Sequence, residues 1–323
     1  MAKKLLSSKF IKNIFTNSIF KRENDADEKV ISYDFINKLE AILLQMQSPM
    51  EGYFGGRHKV NRYGNTVEFA DFREYTLGDD IRHIDWNLYS RLEKHYIKLF
   101  VDERQMHLQV FLDCSASMNQ PREKAVFAMR AAAGLGFLSV KNMDKTSIKL
   151  IYDRFADDMC GIVTGKETYF LALGGFEKLP FNGCANIGEA VANCRNLGSN
   201  DGLTVIISDF LTENDWRKAV DYLLYLKRQV LVIQVLSPEE IDPSYNGKVR
   251  LLDVEAANET DDRNMKLRIS RSRIKAYKEA IDDYICEMND FCAKRDVHFV
   301  TVSTDEPVEK LFWDKLFNLE MLK

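Results

Sequence analysis

The chain has 323 residues, 46% of them hydrophobic, with a net charge of -4 and an isoelectric point of about 5.9. This length predicts about two domains with a proper core, and the acidic balance argues against general nucleic-acid binding. The six cysteines include no C-x-x-C pair, which argues against a zinc knuckle and a thioredoxin-type site. Without a secretory signal or a membrane-length apolar run, we expect a soluble cytoplasmic protein with reduced thiols.

Residues 1–29 form a basic N-terminal arm. Within 1–22 there are six basic residues and no acid, and apolar residues recur near helical spacing. A basic amphipathic helix can lie on an anionic membrane surface, which predicts a peripheral membrane contact through residues 1–22. The alternative is a helix docked on the protein's own surface, or a frayed terminus.

Residues 30–106 are expected to form a small α+β lead-in. Apolar residues at intervals of three and four predict a helix over 30–47, which Pro49 ends. Strands are expected at 66–69 and 95–101, separated by a turn at 78–80.

From residue 107 to 306 strands alternate with helices, which predicts an α/β domain with a doubly wound, mostly parallel sheet. The expected strands lie at 107–112, 147–152, 160–163, 203–207, 230–236 and 297–302. The expected helices lie at 123–140, 167–178, 187–197, 213–227 and 270–294. A hairpin arm is expected at about 247–255, followed by a polar loop, and residues 307–323 are expected to form a C-terminal helix.

The most informative motif follows the first strand of this domain. Asp113 ends the strand, and Ser115 and Ser117 follow at alternate positions in the pattern D-x-S-x-S. A carboxylate and two hydroxyls on one tight loop form a hard oxygen cluster, which suits a small divalent cation such as Mg2+. Ligands of open α/β sheets bind outside the carboxyl ends of strands, where this loop is expected. The alternative is a plain strand-to-helix turn with capping side chains.

A second carboxylate, Asp209, follows the predicted strand at 203–207. In the common 3-2-1-4-5-6 strand order the first and fourth strands are neighbours, so Asp113 and Asp209 are expected to converge on one crevice. Two unpaired carboxylates repel one another, and a divalent cation between them removes the conflict. The alternative is that Asp209 caps the helix that follows it.

Asp113, Ser115 and Ser117, together with the distant Asp209, resemble the metal-ion-dependent adhesion site of von Willebrand factor A domains. The resemblance implies a site for Mg2+ or Mn2+ with these four residues as ligands. It also implies that an acidic side chain of a partner protein completes the coordination of the metal.

The lead-in extends the resemblance to a bacterial family. GRHKVNRYG (56–64), FREYTLGDDIRHIDWN (72–87) and LFVDER (99–104) are together similar to the family called domain of unknown function number 58. The likeness runs over 51–306 and includes LLDVE (251–255). It implies a von Willebrand factor A-like domain behind a lead-in. It also implies a partner among the MoxR-type AAA+ ATPases, which act in assembling, remodelling or metal-loading other complexes.

One loop departs from the pattern of these adhesion sites. The usual loop, G-G-T-[DN], supplies a threonine, whereas residues 182–186 read NGCAN and place Ala185 at the threonine position. Alanine has no ligand atom, and the neighbouring Cys184 is a soft donor that Mg2+ does not favour. Asn186 is a candidate auxiliary ligand, and a water molecule is the alternative. The resemblance therefore implies a degenerate metal site.

The charges of the lead-in allow two interpretations. Six of them crowd a short segment beside Trp86, namely Arg73, Glu74, Asp79, Asp80, Arg82 and Asp85. They are expected to pair with one another and to clamp the lead-in to the α/β domain. The alternative is a docking surface for a partner.

Three functional hypotheses follow. The first is a non-enzymatic interaction module whose metal binds an acidic side chain, since the motif contains no nucleophile–base pair. The second is a metal-independent scaffold of the same fold. The third is a Mg2+-dependent phosphatase that uses Asp113 as phosphoryl acceptor. It is disfavoured because such enzymes carry a second aspartate where this chain has Ser115.

Overall fold

The computed structural model describes residues 30–46, 58–60, 68–76, 79–194, 197, 202–212, 214–243, 247–251, 265–269 and 271–316. The N-terminal arm therefore lies outside the described residues. Within them, no helix combines the length and the apolar character that crossing a bilayer requires.

The described part of the lead-in contains two α-helices and a small antiparallel sheet. Its elements are α1 (Tyr33–Met46), β1 (His58–Val60), β2 (Glu68–Glu74), α2 (Trp86–Leu92) and β3 (Tyr96–Arg104). The central strand β3 pairs with β1 on one side and with β2 on the other. The predicted helix at 30–47 and the strand at 95–101 are confirmed. The strand expected at 66–69 corresponds to β2 (Glu68–Glu74), which extends further along the chain than expected.

A six-stranded sheet forms the centre of the α/β domain. Its strands are β4 (His107–Asp113), β5 (Lys145–Tyr152), β6 (Phe155–Asp158), β7 (Leu203–Ser208), β8 (Gln229–Leu236) and β11 (His298–Ser303). They lie in the order β11-β8-β7-β4-β5-β6, and only β6 pairs antiparallel. Counted along the chain this is the 3-2-1-4-5-6 order, so the predicted doubly wound, mostly parallel sheet is confirmed.

Helices cover both faces of this sheet. They are α3 (Arg122–Lys141), α4 (Lys166–Leu173), α5 (Ile187–Ala192), α6 (Arg217–Tyr225), α7 (Pro238–Ile241), α8 (Arg271–Ala293) and α9 (Val308–Lys310), which continues as a π-helical turn, Leu311–Leu316. Leu108, Val110 and Leu112 of β4 pack in the core formed with α3, whereas Phe111 packs in the core formed with α5, α6 and α8. Strands β4 and β7 are buried along their whole length, as expected for parallel strands covered on both sides.

Helix α3 is itself enclosed by neighbouring elements. Phe312 of the C-terminal turn lies so close to Gly134 that a Cβ atom there would be 2.4 Å from the Phe312 Cζ atom. Phe35 and Leu39 of α1 belong to the same core. In the first turn of α3, Lys124 is fully buried, whereas its neighbours Arg122 and Glu123 are exposed.

Two predicted elements differ from the structure. The strand expected at 160–163 is wrong: Asp153 takes a left-handed conformation, the chain reverses, and the edge strand is β6 (Phe155–Asp158). Val163 forms only an isolated bridge to Thr146. The hairpin arm expected at 247–255 is longer, because β9 (Gly247–Leu251) pairs with β10 (Met265–Ile269).

Candidate functional site at the mouth of the sheet

The two predicted carboxylates lie at the ends of the adjacent strands β4 and β7, and we call this edge of the sheet its mouth. Strands β4 and β7 are paired up to Leu112 and Ile207, so Asp113 stands beside the end of β7. The Ser208 hydroxyl donates a hydrogen bond of 2.6 Å to Asp113 Oδ2 and accepts one of 3.0 Å from the Phe210 amide. Asp209 follows directly, and its charge acts on Asp113.

The D-x-S-x-S segment forms a compact turn. Asp113 Oδ1 accepts a hydrogen bond of 2.8 Å from the Ser115 amide, and the hydroxyls of Ser115 and Ser117 lie 3.0 Å apart. A 3-10 turn follows over Ala116–Asn119, and α3 begins only at Arg122. The Asp113 carboxylate therefore stabilises its own turn and does not cap α3.

The loop at 182–186 lies against this turn. The Asn182 amide donates to the Cys114 carbonyl oxygen, and the Ala116 amide donates to the Gly183 carbonyl oxygen, each at 3.0 Å. Ala185 is buried, so the threonine position of the adhesion pattern carries a methyl group inside the protein. The Asn186 side chain accepts from the Glu189 amide at 3.2 Å and caps α5.

A buried lysine contacts the second carboxylate. Lys124 Nζ donates hydrogen bonds of 2.9 Å to Asp209 Oδ2 and 2.8 Å to Glu240 Oε1, and its side chain is 0% exposed. The other oxygen of the Asp209 carboxylate accepts from the Leu211 amide at 3.0 Å. Asp209 therefore stabilises the turn after β7. The alternative of an N-cap is wrong, because α6 starts only at Arg217.

Glu240 is held in place by two further elements. It closes a capping box with Ser237: Glu240 Oε2 accepts from the Ser237 amide at 2.7 Å, and Ser237 Oγ accepts from the Glu240 amide. The Tyr277 hydroxyl of α8 donates to the Glu240 carbonyl oxygen at 2.8 Å. The position of Glu240, one of the two carboxylates that Lys124 contacts, is therefore set by α7 and α8.

Burial and neighbouring charges shift the pKa values of the ionisable groups at this site. Burial raises the pKa of Asp113, and repulsion from Asp209 adds to this, against the hydrogen bonds from Ser208 and Ser115. Burial also raises the pKa of Glu240, although Lys124 opposes that shift. Burial alone would lower the pKa of Lys124, but Asp209 and Glu240 outweigh it, so the ammonium stays charged.

The donor set of the turn suits a hard cation. Asp113, Ser115 and Ser117 offer only side-chain oxygen atoms, which are the ligands that such a cation prefers. Across the described part of the chain, no three His, Cys, Asp or Glu side chains form a group that could hold a metal ion. Any ion at this mouth therefore depends on the serine hydroxyls as well as on carboxylates.

The charges of the lead-in interact mainly within the lead-in. Arg73 pairs with Asp79 at 2.7 Å, and Asp79 also accepts from the Thr76 amide and hydroxyl. Asp80 accepts from the Arg82 amide, and Asp85 caps α2. Pairing within the predicted set is confirmed for Arg73 with Asp79, whereas Glu74 pairs with Lys94, outside that set. The role of the segment as a clamp or as a docking surface stays a prediction.

Three residues of the mouth were not predicted. Ser208 directly precedes Asp209 and was the easiest to find, since the register that pairs Leu112 with Ile207 brings Ser208 beside Asp113. Glu240 is visible as the last residue of an S-x-x-E capping box, but its burial is not. Lys124 carries no sequence signal, because lysine is ordinarily exposed and the first turn of a helix favours acids.

Relatives of similar length are found in mycobacteria. The chain is 26% identical over 224 residues to the "Uncharacterized protein Rv1480" of Mycobacterium tuberculosis and to the "Uncharacterized protein Mb1516" of Mycobacterium bovis. These alignments cover 68% of this chain and 70% of each relative.

Solved structures with partial likeness include von Willebrand factor A domains. The VWA domain of SpRpn10 is 10% identical with a TM-score of 0.32, over 64% of this chain and 92% of that one. A von Willebrand factor type A protein from Catenulispora acidiphila is 12% identical with a TM-score of 0.34, over 43% of this chain. This chain spans only 35% of the length of that protein.

These TM-scores lie below 0.5, and the fold class follows from the strand order of the chain itself. The family evidence is of a different kind, because the model of one family matches residues 71–281, which include the end of the lead-in and most of the α/β domain. The chain belongs to the family described as "Protein of unknown function DUF58".

Proposed function

We propose that this protein is a non-enzymatic protein-interaction module with a degenerate metal-ion-dependent adhesion site at the mouth of its sheet. The observation that carries the proposal is the arrangement of Asp113, Ser115 and Ser117 on one turn, next to the end of the strand that leads to Asp209. Such a turn offers oxygen ligands at the edge where α/β proteins bind their ligands.

In this proposal Asp113, Ser115 and Ser117 hold Mg2+ or Mn2+, and Asp209 contributes through its charge. Asn186 is the auxiliary candidate, although its side-chain oxygen already accepts from Glu189. The ion supplies an open coordination position for an acidic side chain of a partner protein. The chain's own residues would position the ion, because the Ser208 hydroxyl and the Ser115 amide orient the Asp113 carboxylate.

The partner in this proposal is a MoxR-type AAA+ ATPase, with this protein acting as adaptor or co-chaperone. The support for this is the family assignment and the resemblance of the lead-in. The same proposal places the protein in the cytoplasm, with residues 1–22 as a peripheral membrane contact and no role for nucleic acid.

The test is a pull-down of a MoxR-type ATPase from the same organism with the full chain, with Mg2+ and with a chelator. We expect recovery with Mg2+, loss with the chelator, and loss in an Asp113→Asn variant. The matched control is Asp153→Asn, which removes an exposed carboxylate near the same mouth and suits the left-handed backbone there. Equal recovery with and without chelator would contradict the mechanism.

A metal-independent scaffold is the second candidate, and two observations favour it. Ala185 presents no ligand atom, and Lys124 already neutralises part of the Asp209 charge. This candidate predicts partner recovery that neither chelator nor Asp113→Asn changes. A phosphatase that uses Asp113 would instead release phosphate from a generic substrate in a manner that Asp113→Asn abolishes.

A further inference from the structure

Strands β9 and β10 form a two-stranded antiparallel ribbon. Within the described residues the ribbon pairs with no third strand, and its ten residues include four basic residues and no acid. The register sets Lys248 opposite Arg268 and Arg250 opposite Lys266. Because alternate residues of a strand share a face, these four residues lie on the same face of the ribbon, which we call its basic face.

The opposite face of the ribbon is apolar. Val249 stands opposite Leu267, Leu251 stands opposite Met265, and Ile269 follows on the same face. An isolated pair of strands is at best marginally stable in water, so an apolar face of this kind favours a contact that removes it from water. The ribbon therefore combines one basic face and one apolar face.

The register of the basic face is itself unfavourable without a partner. Like charges directly opposite one another destabilise an antiparallel pair, and both charged pairs of this ribbon have the same sign. The whole chain has 49 acidic and 45 basic residues, so the enrichment in basic residues is local to this element. An anionic surface against the basic face would replace this repulsion by attraction.

The basic character continues into the first turns of α8. Residues 265–278 include six basic residues and no acid, and Arg271, Arg273 and Lys275 are exposed. The segment 252–264, which joins the two strands, has five acids and one base and lies outside the described residues. The basic surface therefore consists of the ribbon and the start of α8, without that segment.

We propose that the ribbon and the start of α8 bind an anionic lipid surface. An element with one basic and one apolar face suits the headgroup layer of a bilayer, where apolar residues reach the acyl boundary and Lys or Arg side chains reach the phosphates. A nucleic acid would engage the basic face alone, so the two faces together favour a lipid. This contact is additional to the one proposed for residues 1–22, and it is independent of the proposed metal site.

The test is co-sedimentation of the full chain with vesicles of phosphatidylglycerol and phosphatidylcholine, or of phosphatidylcholine alone, in the presence of a chelator. We expect binding to the anionic vesicles only. Lys266→Gln combined with Arg268→Gln should lower the binding constant about ten- to thirty-fold, as for two basic residues at an anionic surface, while relieving the repulsion within the ribbon. The matched control, Lys141→Gln combined with Lys178→Gln, removes the same charge from exposed positions elsewhere and should change binding less than about three-fold.

A second variant, Leu267→Ser, tests the apolar face. Loss of a leucine side chain from an interfacial contact should lower vesicle binding about ten-fold, because less apolar area then enters the bilayer. Binding that depended on charge alone would not respond to this change. Circular dichroism checks the folding of each variant.

Weaker binding in both ribbon variants and unchanged binding in the control would support the inference. It is overturned if the unaltered chain does not bind anionic vesicles, or if the glutamine variant of the ribbon binds them as tightly. Unchanged binding in Leu267→Ser would also overturn it, since the basic face would then serve a soluble polyanion or an acidic protein. If only Lys9→Gln combined with Lys12→Gln abolishes binding, the contact belongs to residues 1–22, and that part of the proposed function stands without this inference.

Discussion

Replacing Lys124 by methionine should destabilise the fold strongly. The change keeps most of the side-chain volume but removes the ammonium that hydrogen-bonds Asp209 and Glu240 at 2.9 and 2.8 Å. Two carboxylates then remain buried without their cation. Breaking a buried ion pair in this manner costs about 3–5 kcal/mol of unfolding free energy. Urea denaturation followed by circular dichroism would measure this as a lower midpoint with an unchanged slope.

Lys38 offers a matched control for this measurement. It also lies between two carboxylates, Asp34 at 2.8 Å and Glu309 at 3.3 Å, but its side chain is 54% exposed. Lys38→Met should leave the urea midpoint almost unchanged, because water and salt screen an exposed pair. If Lys124→Met proves as stable as Lys38→Met, the description of a buried, charge-dependent cluster is refuted.

Three further predictions concern other parts of the fold. Burial lowers the pKa of His107 to about 4, so between pH 6.5 and 4 the unfolded chain binds a proton that the folded chain does not. The free energy of unfolding should therefore fall by about 2 kcal/mol as the pH drops through this range. Urea titrations at several pH values would measure this dependence, and His107→Gln should remove it. Gly134→Ala should cost about 1–3 kcal/mol through overlap with Phe312, and Phe312→Leu in the same chain should relieve part of it; equal midpoints for both variants would contradict this. Tyr284→Phe removes a hydrogen bond of 2.7 Å to the Phe210 carbonyl oxygen and should lower the unfolding free energy by about 1 kcal/mol, whereas an unchanged midpoint would show that water replaces it.

The convergence of the two strand-end carboxylates could be predicted from the sequence. Apolar runs alternating with helical patterns identify parallel strands, and the common strand order then brings the first and fourth together. Strands β4 and β7 are indeed neighbours, and the Ser208 hydroxyl, one residue before Asp209, reaches Asp113. Local pattern and topology together were sufficient for this part of the site.

The charge balance of the mouth could not be predicted in the same manner. Lys124 and Glu240 are 116 positions apart, and their contact depends on how α3 packs against the end of β8. A lysine in a first helical turn is ordinarily solvated, whereas Lys124 turns inward to Asp209 and Glu240, which are distant in the sequence. The edge strand was misplaced for a related reason, because the left-handed residue Asp153 reverses the chain earlier than the apolar run suggested.

Calorimetric titration of the full chain with Mg2+ and Mn2+ tests the central claim most directly. The account predicts saturable binding at up to millimolar ion concentrations, lost in Asp113→Asn and retained in Asp153→Asn. Absence of binding heat in the unaltered protein, or equal binding in Asp113→Asn, would contradict the claim that the mouth of this sheet holds a divalent cation.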